Sequence, residues 1–162
     1  IEERKVPLDF IEGEFRVLDY ETIITVRSYL SNMRESLSLA HEIEKLGYTR
    51  KAVAELYYAA FYGTTAALYI VNVVRGKHSG IESAVSQFLV KTGLLEEEYH
   101  KIFVSLQEGR LSADYPTQTK LKGKRILTED ELKQLLRDGE RYIERMKRFL
   151  IERCVDKSDF AQ

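Results

Sequence analysis

From about Glu21 onward, apolar residues recur every three or four positions: Ile23, Val26, Leu30, Met33, Leu37, Ala40 and Ile43. That spacing lays them along one face of a helix. Gly47 follows Lys45 and Leu46 as a C-cap, since glycine enters the left-handed backbone region without steric cost. Thr49 is placed to cap a second helix, whose inner face holds Ala52, Leu56, Ala59, Gly63, Ala67, Ile70 and Val74. This helix is apolar nearly all round, and Ala59, Ala60, Gly63, Ala66 and Ala67 let neighbours come close, so it is expected at the centre. Gly76-Lys77-His78-Ser79-Gly80 reads as a turn. A third helix then carries Ile81, Val85, Phe88 and Leu89 and stops at Gly93. Glu96-Glu97-Glu98 places acids where a fourth helix begins. Tyr99, Ile102, Phe103 and Leu106 continue it toward Ala113, and Pro116 ends it by biasing the preceding residue away from helical geometry. Residues 117–127 read as a polar, basic loop. Thr128 and Glu131 form a capping box for the last helix, which turns Leu132, Leu136, Ile143, Met146 and Leu150 inward.

Before Glu21 the pattern is mixed. Pro7 and Gly13 interrupt any long helix, and Phe10, Ile11, Phe15 and Leu18 suggest an arm or irregular lead-in packed on the body. No β-strand pattern and no internal repeat emerges. The expected fold is all-α, an antiparallel helical bundle of about five helices. The expected organisation is an N-terminal arm over residues 1–21, a bundle over 22–152 and a C-terminal tail over 153–162. A chain of 162 residues fits one domain, and its 44% hydrophobic and 31% charged composition excludes a disordered chain. One cysteine, Cys154, excludes an intramolecular disulfide framework and a cysteine-based zinc site. A formal net charge of -1 removes the argument that a wholly basic domain would make for nucleic acid, and leaves local patches open. Leu56 to Val74 carries no formal charge and raises the question of a membrane span. Tyr57, Tyr58, Tyr62, Thr64, Thr65, Tyr69 and Asn72 within it, with no one-sided basic flank, favour a buried central helix and no membrane partner. The opening Ile1-Glu2-Glu3-Arg4-Lys5 is charged, with no apolar signal core behind it, so a cytoplasmic location is expected by default.

The chain has no Gly-rich phosphate loop, no Gly-x-Ser-x-Gly and no His-Glu-x-x-His. His41, His78 and His100 lie on different segments and no Glu-x-x-His pair occurs, so neither a metal nor a cofactor is implied. The most informative stretch is Gly109-Arg110-Leu111-Ser112-Ala113-Asp114-Tyr115-Pro116. Arg110 and Asp114 are four apart near a helix end and can pair. Either Arg110 offers its planar fork to a phosphate, oriented by Asp114 and Tyr115, or the three form a structural ion pair with a tyrosine packed across the helix end. His78, between Lys77 and Ser79, is either a phosphate or base contact at a helix start or a residue that plugs that helix end. Lys120, Lys122, Lys124 and Arg125 form a basic run, and Arg137, Arg141, Arg145 and Arg148 share one face of the last helix. They suit either a nucleic-acid backbone or a solvated face laced by pairs such as Glu144 with Arg148. Tyr57, Tyr58, Phe61, Tyr62 and Tyr69 could stack bases, but on so apolar a helix they suit core or dimer packing.

Arg50-Lys51-Ala52-Val53-Ala54-Glu55-Leu56-Tyr57-Tyr58-Ala59-Ala60-Phe61-Tyr62, then Lys77-His78-Ser79-Gly80, then Arg110-Leu111-Ser112-Ala113-Asp114-Tyr115, resembles the HEPN domain family in its stand-alone prokaryotic branch. The resemblance covers roughly residues 22–152. It implies a helical bundle, usually a homodimer, often beside a minimal nucleotidyltransferase as a toxin–antitoxin pair. Many members are metal-independent ribonucleases whose motif is an Arg and a His with four to six residues between them, the His moving protons during attack by the ribose 2′-OH. Here Arg110 takes the expected place, but Tyr115, Pro116 and Thr117 follow where the His belongs. Arg34 and His41 match the spacing formally, on the first helix, away from the expected place. Losing the imidazole removes the group that titrates near neutral pH, and a tyrosine with a pKa of about 10 is a poor substitute base. The reading that follows is a non-catalytic binding module whose partners are a second copy, a nucleotidyltransferase, RNA or a nucleotide, contacted through Arg110, Asp114, Tyr115, Lys77, His78, Lys120, Lys122, Lys124 and Arg125. The alternatives are an endoribonuclease toxin in which His78 serves Arg110, and a structural dimerisation module built on the second helix.

Overall fold

The computed structural model describes residues 7–11, 14–17, 20–73 and 78–153, with side chains described over 20–73 and 80–153. Among these residues, six α-helices carry the fold: α1 (Tyr20–Lys45), α2 (Thr49–Ile70), α3 (His78–Ala84), α4 (Glu97–Asp114), α5 (Pro116–Leu121) and α6 (Glu129–Glu152). The all-α bundle is the one the apolar spacing predicts. α2 lies at its centre, packed by α1, α4 and α6. Ala59, Ala60, Ala66 and Ala67 of α2 are fully buried. Their small size and that of Gly63, where a Cβ would sit 2.9 Å from Met33 Sδ, let α1 and α6 close on α2 from two sides. Tyr142 of α6 is also fully buried, and its hydroxyl shares a 2.5 Å hydrogen bond with Thr64 of α2, which satisfies both polar groups inside the core. His41 of α1 reaches across to Glu140 of α6.

The structure corrects several expectations. The lead-in is not irregular: β1 (Pro7–Ile11) and β2 (Glu14–Val17) pair antiparallel, with Pro7 opposite Val17, Leu8 opposite Arg16 and Ile11 opposite Glu14. Each strand is too short for alternation to stand out, but two short runs separated by Glu12-Gly13 carry a hairpin signature. The packing expected of Phe10, Ile11, Phe15 and Leu18, the inward position of Val74, and Cys154 with the tail beyond it lie outside what is described.

The turn expected over 76–80 ends sooner, because His78 is already the first residue of α3. That helix passes into a π-helical segment, Val85–Val90, which keeps Val85 and Leu89 buried. Thr49 does not cap α2. Its hydroxyl donates 2.5 Å to Glu129, tying the start of α2 to the start of α6. The expected loop over 117–127 opens as a helix: Pro116 both stops α4 and begins α5, because its fixed φ and missing N–H suit a first helical turn. The capping box of α6 forms as predicted, with Thr128 Oγ1 accepting from the Glu131 N–H at 3.2 Å. No described helix is long and apolar enough to cross a membrane.

Candidate functional site

Three elements meet around Arg110. Gly109, the residue before it, is buried where α4 crosses α2 and α6. A Cβ there would lie 2.7 Å from Leu135 Cδ2 and 2.9 Å from Val53 Cγ1, so any larger residue would force these side chains or α4 to shift. The approach lays Arg110 against the tyrosines of α2. Its Nε and Nη2 donate to the Tyr58 hydroxyl at 3.3 and 3.1 Å. Its Nε also lies 3.4 Å from Asp114 Oδ2, one turn on, the pair expected from spacing. The guanidinium carbon sits 5.7 Å from the Tyr57 ring centroid, 5.5 Å from Tyr58 and 5.9 Å from Tyr115. Only 16% of the Arg110 side chain is exposed. Burial alone would lower its pKa, but the Tyr58 hydrogen bond and the charge of Asp114 more than offset that, so the guanidinium is held above its usual range.

The surroundings follow from this cradle. Lys51 Nζ lies 3.7 Å from Asp114 Oδ1, so Asp114 answers two cations. Burial first, and then the negative charge of Asp114, raise the pKa of Glu55, one turn before Tyr58 on α2. Burial pushes the Tyr57 phenol up to about 12 against the opposing pull of Arg110, so this hydroxyl stays protonated at neutral pH. Arg50 Nη2 donates to the Ser112 carbonyl at 3.4 Å, a second strut between α2 and α4.

Beyond the cradle, the chain turns at Tyr115, which caps α4 and leads directly into α5. A hollow of about 190 Å³ opens there, lined by Leu111 and Tyr115 with Glu108, Gln118, Lys122 and Lys124 around them. Tyr115 is 47% exposed, so its ring has one side on Arg110 and another toward this hollow.

Of the residues picked out in the sequence, Arg110, Asp114 and Tyr115 come together, and Lys122 and Lys124 join Tyr115 around the hollow. Lys120 is exposed on α5 nearby. Arg125 is committed elsewhere: its fork grips both Glu131 oxygens at 2.5 and 2.6 Å, which holds that carboxyl down at about 2. The arginine face of α6 is also not an open stripe. Arg145 is buried and bonded to Glu96 at 2.9 Å and the Leu94 carbonyl at 3.1 Å, and Arg141 pairs with Glu98 at 3.1 Å. Lys77 and the side chain of His78 lie outside the described residues. His100 is ten residues from Arg110 on the same helix, roughly 15 Å along its axis. No group of His, Cys, Asp and Glu among the described residues could hold a metal ion.

The sequence reading missed the link from Tyr58 to Arg110, because 52 residues separate them and no local spacing connects them. It also missed Leu111, although an apolar residue off the inward face of its helix is a legible signal.

The model of the HEPN domain family matches residues 26–149, from within α1 to the last turn of α6. A UPF0332 protein of Thermotoga maritima is 28% identical over 117 residues, which make up 72% of this chain and 84% of that relative. A UPF0332 protein of Gloeobacter violaceus is 29% identical over 86 residues, 53% of this chain and 68% of that relative. The family match takes in every helix, the Arg110 cradle and the hollow beside it: the chain belongs to the HEPN domain family.

Proposed function

We propose that this chain is a non-catalytic HEPN binding module. It acts as a homodimer with a nucleotidyltransferase partner, with RNA or a nucleotide, or with both. The state of Arg110 carries the reading. A catalytic arginine must present its fork to a scissile phosphate. Here the fork is spent on Tyr58 and Asp114 and is flanked by three rings, with 16% of the side chain exposed. The described imidazoles are also engaged or distant: His41 pairs with Glu140, and His100 is about 15 Å away.

One observation favours the second reading, a ribonuclease toxin with substituted chemistry. α3, which His78 begins, borders the same cradle, since the charge of Glu82 bears on Tyr57. A gel assay separates the two. Purified protein is incubated with total tRNA and a structured mRNA, wild type beside Arg110→Ala and His78→Ala. Intact RNA in all three lanes is the expected result. Wild-type cleavage that disappears in both variants would overturn the non-catalytic reading, whereas cleavage that survives Arg110→Ala reports a contaminant. Light scattering at micromolar concentration checks the dimer, and a monomer there would remove that part of the proposal.

A further inference from the structure

We propose that the hollow at the α4–α5 junction docks an acidic segment of a partner protein, seated by one bulky apolar side chain. The inference rests on the non-catalytic reading above and names the surface and the chemistry it would use. The hollow measures about 190 Å³; Leu111 and Tyr115 supply its apolar wall, and Glu108, Gln118, Thr119, Lys122 and Lys124 complete the lining. A dry apolar cavity of roughly 150 Å³ accepts a benzene ring, so one Leu, Phe or Trp side chain fits here. Leu121, at the end of α5, is 81% exposed, and Leu111 is 38% exposed. Leu111 lines the hollow and Leu121 directly precedes Lys122 of its lining, and exposed apolar positions rimmed by polar residues mark an interaction surface.

Charge selects the occupant. Lys122 and Lys124 line the hollow and Lys120 stands one turn away, all exposed and none in an ion pair with a described residue. The carboxylate lining the hollow is Glu108, so two lining cations face one anion, with Lys120 adding a third positive charge nearby. Nearby Asp114 is neutralised by Arg110 and Lys51, and Arg125 by Glu131. The rim is therefore net positive around an apolar floor, complementary to a peptide with acidic flanks and an apolar anchor. RNA fits less well. A phosphate backbone needs the lysines but has no use for two leucines, and base stacking needs free aromatic faces. Tyr115 turns one free face to the hollow, a single platform where a bound strand stacks successive bases on several rings.

The test is a selection of displayed random twelve-residue peptides on the full chain. Enriched peptides are then measured by fluorescence anisotropy against wild type, Lys122→Glu/Lys124→Glu and Leu121→Asp. These substitutions lie on exposed positions, and thermal melts confirm that each variant is folded. Peptides rich in Asp and Glu around a Leu, Phe or Trp are expected. Their affinity should fall at least about tenfold in the lysine double variant and weaken as salt rises. The proposal is overturned by no enrichment, by enriched peptides that bind all three proteins alike, or by a single-stranded RNA dodecamer that binds the same end more tightly. Failure here with RNA left intact in the gel assay removes the docking site alone, whereas RNA cleavage removes the reading beneath it.

Discussion

At the scale of single residues, the cradle is a unit of cohesion between α2 and α4. Arg110 is worth more to stability than a surface arginine because its bonds are made in a partly dry setting and each ring adds a cation–π contact. Arg110→Ala should cost about 2–3 kcal/mol, the range expected when a charged hydrogen-bond donor is removed and its acceptors are stranded. Arg110→Lys should recover only a part, because an ammonium cannot hold Tyr58 and Asp114 with one planar group. Urea denaturation at neutral pH measures both, and an alanine effect near zero would mean the cradle is not a stabilising unit. Glu55 predicts the opposite sign. Its folded pKa is raised, so the ionised form is disfavoured by folding. An acid shifted this way lowers stability as pH rises through its unfolded pKa toward its folded one, and the penalty persists above both. Glu55→Gln should therefore raise the melting temperature at pH 7 and change it little at pH 4, where the wild-type carboxyl is largely protonated. An equal shift at both values would assign the gain to packing instead.

At the scale of elements, what could be read in advance depended on how locally each signal was written. α1, α2, α4 and α6 were visible because a helix of eighteen or more residues repeats its apolar period several times. The Thr128–Glu131 cap was visible because both halves lie within one turn. The hairpin and α5 were not, being too short to show a period, although Gly13 and Pro116 mark both places. Thr49 was misassigned because its better partner, Glu129, lies 80 residues on. The same division runs through the site: Arg110 with Asp114 was local and legible, while Tyr58 with Arg110 was made by the fold. Gly109 is the element-scale device that makes it. Gly109→Ala should destabilise by about 1–3 kcal/mol through overpacking against Leu135 and Val53, more than offsetting the better helix propensity of alanine. It should also loosen Tyr58, seen as a changed tyrosine environment in near-ultraviolet circular dichroism. A stabilised variant would show that α4 can shift without cost.

At the scale of the whole molecule, the bundle divides into a centre that should not move and an end that is free to. α2 packs chiefly on three helices and shares a buried hydrogen bond with α6, so exposing its middle requires breaking the packing of α1, α4 and α6 together. α5 contacts α4 chiefly, and beyond it Lys120, Leu121, Lys122, Gly123, Lys124 and Arg125 are exposed. Local opening draws on segments with few buried contacts, and amide exchange reports that opening on the scale of minutes to hours. Amides of Ala59–Leu68 should therefore exchange only through global unfolding and share one protection free energy with the middle of α6. Amides of 117–125 should exchange orders of magnitude faster. An acidic peptide seated in the hollow should slow that second group selectively, because Gln118 and Lys122 border it, and leave α2 unchanged. Protection of α2 that is no greater than that of α5 would mean the bundle is not one cooperative unit. Peptide-induced protection spread evenly along the chain would mean that the ligand stabilises the fold at large and not at this end.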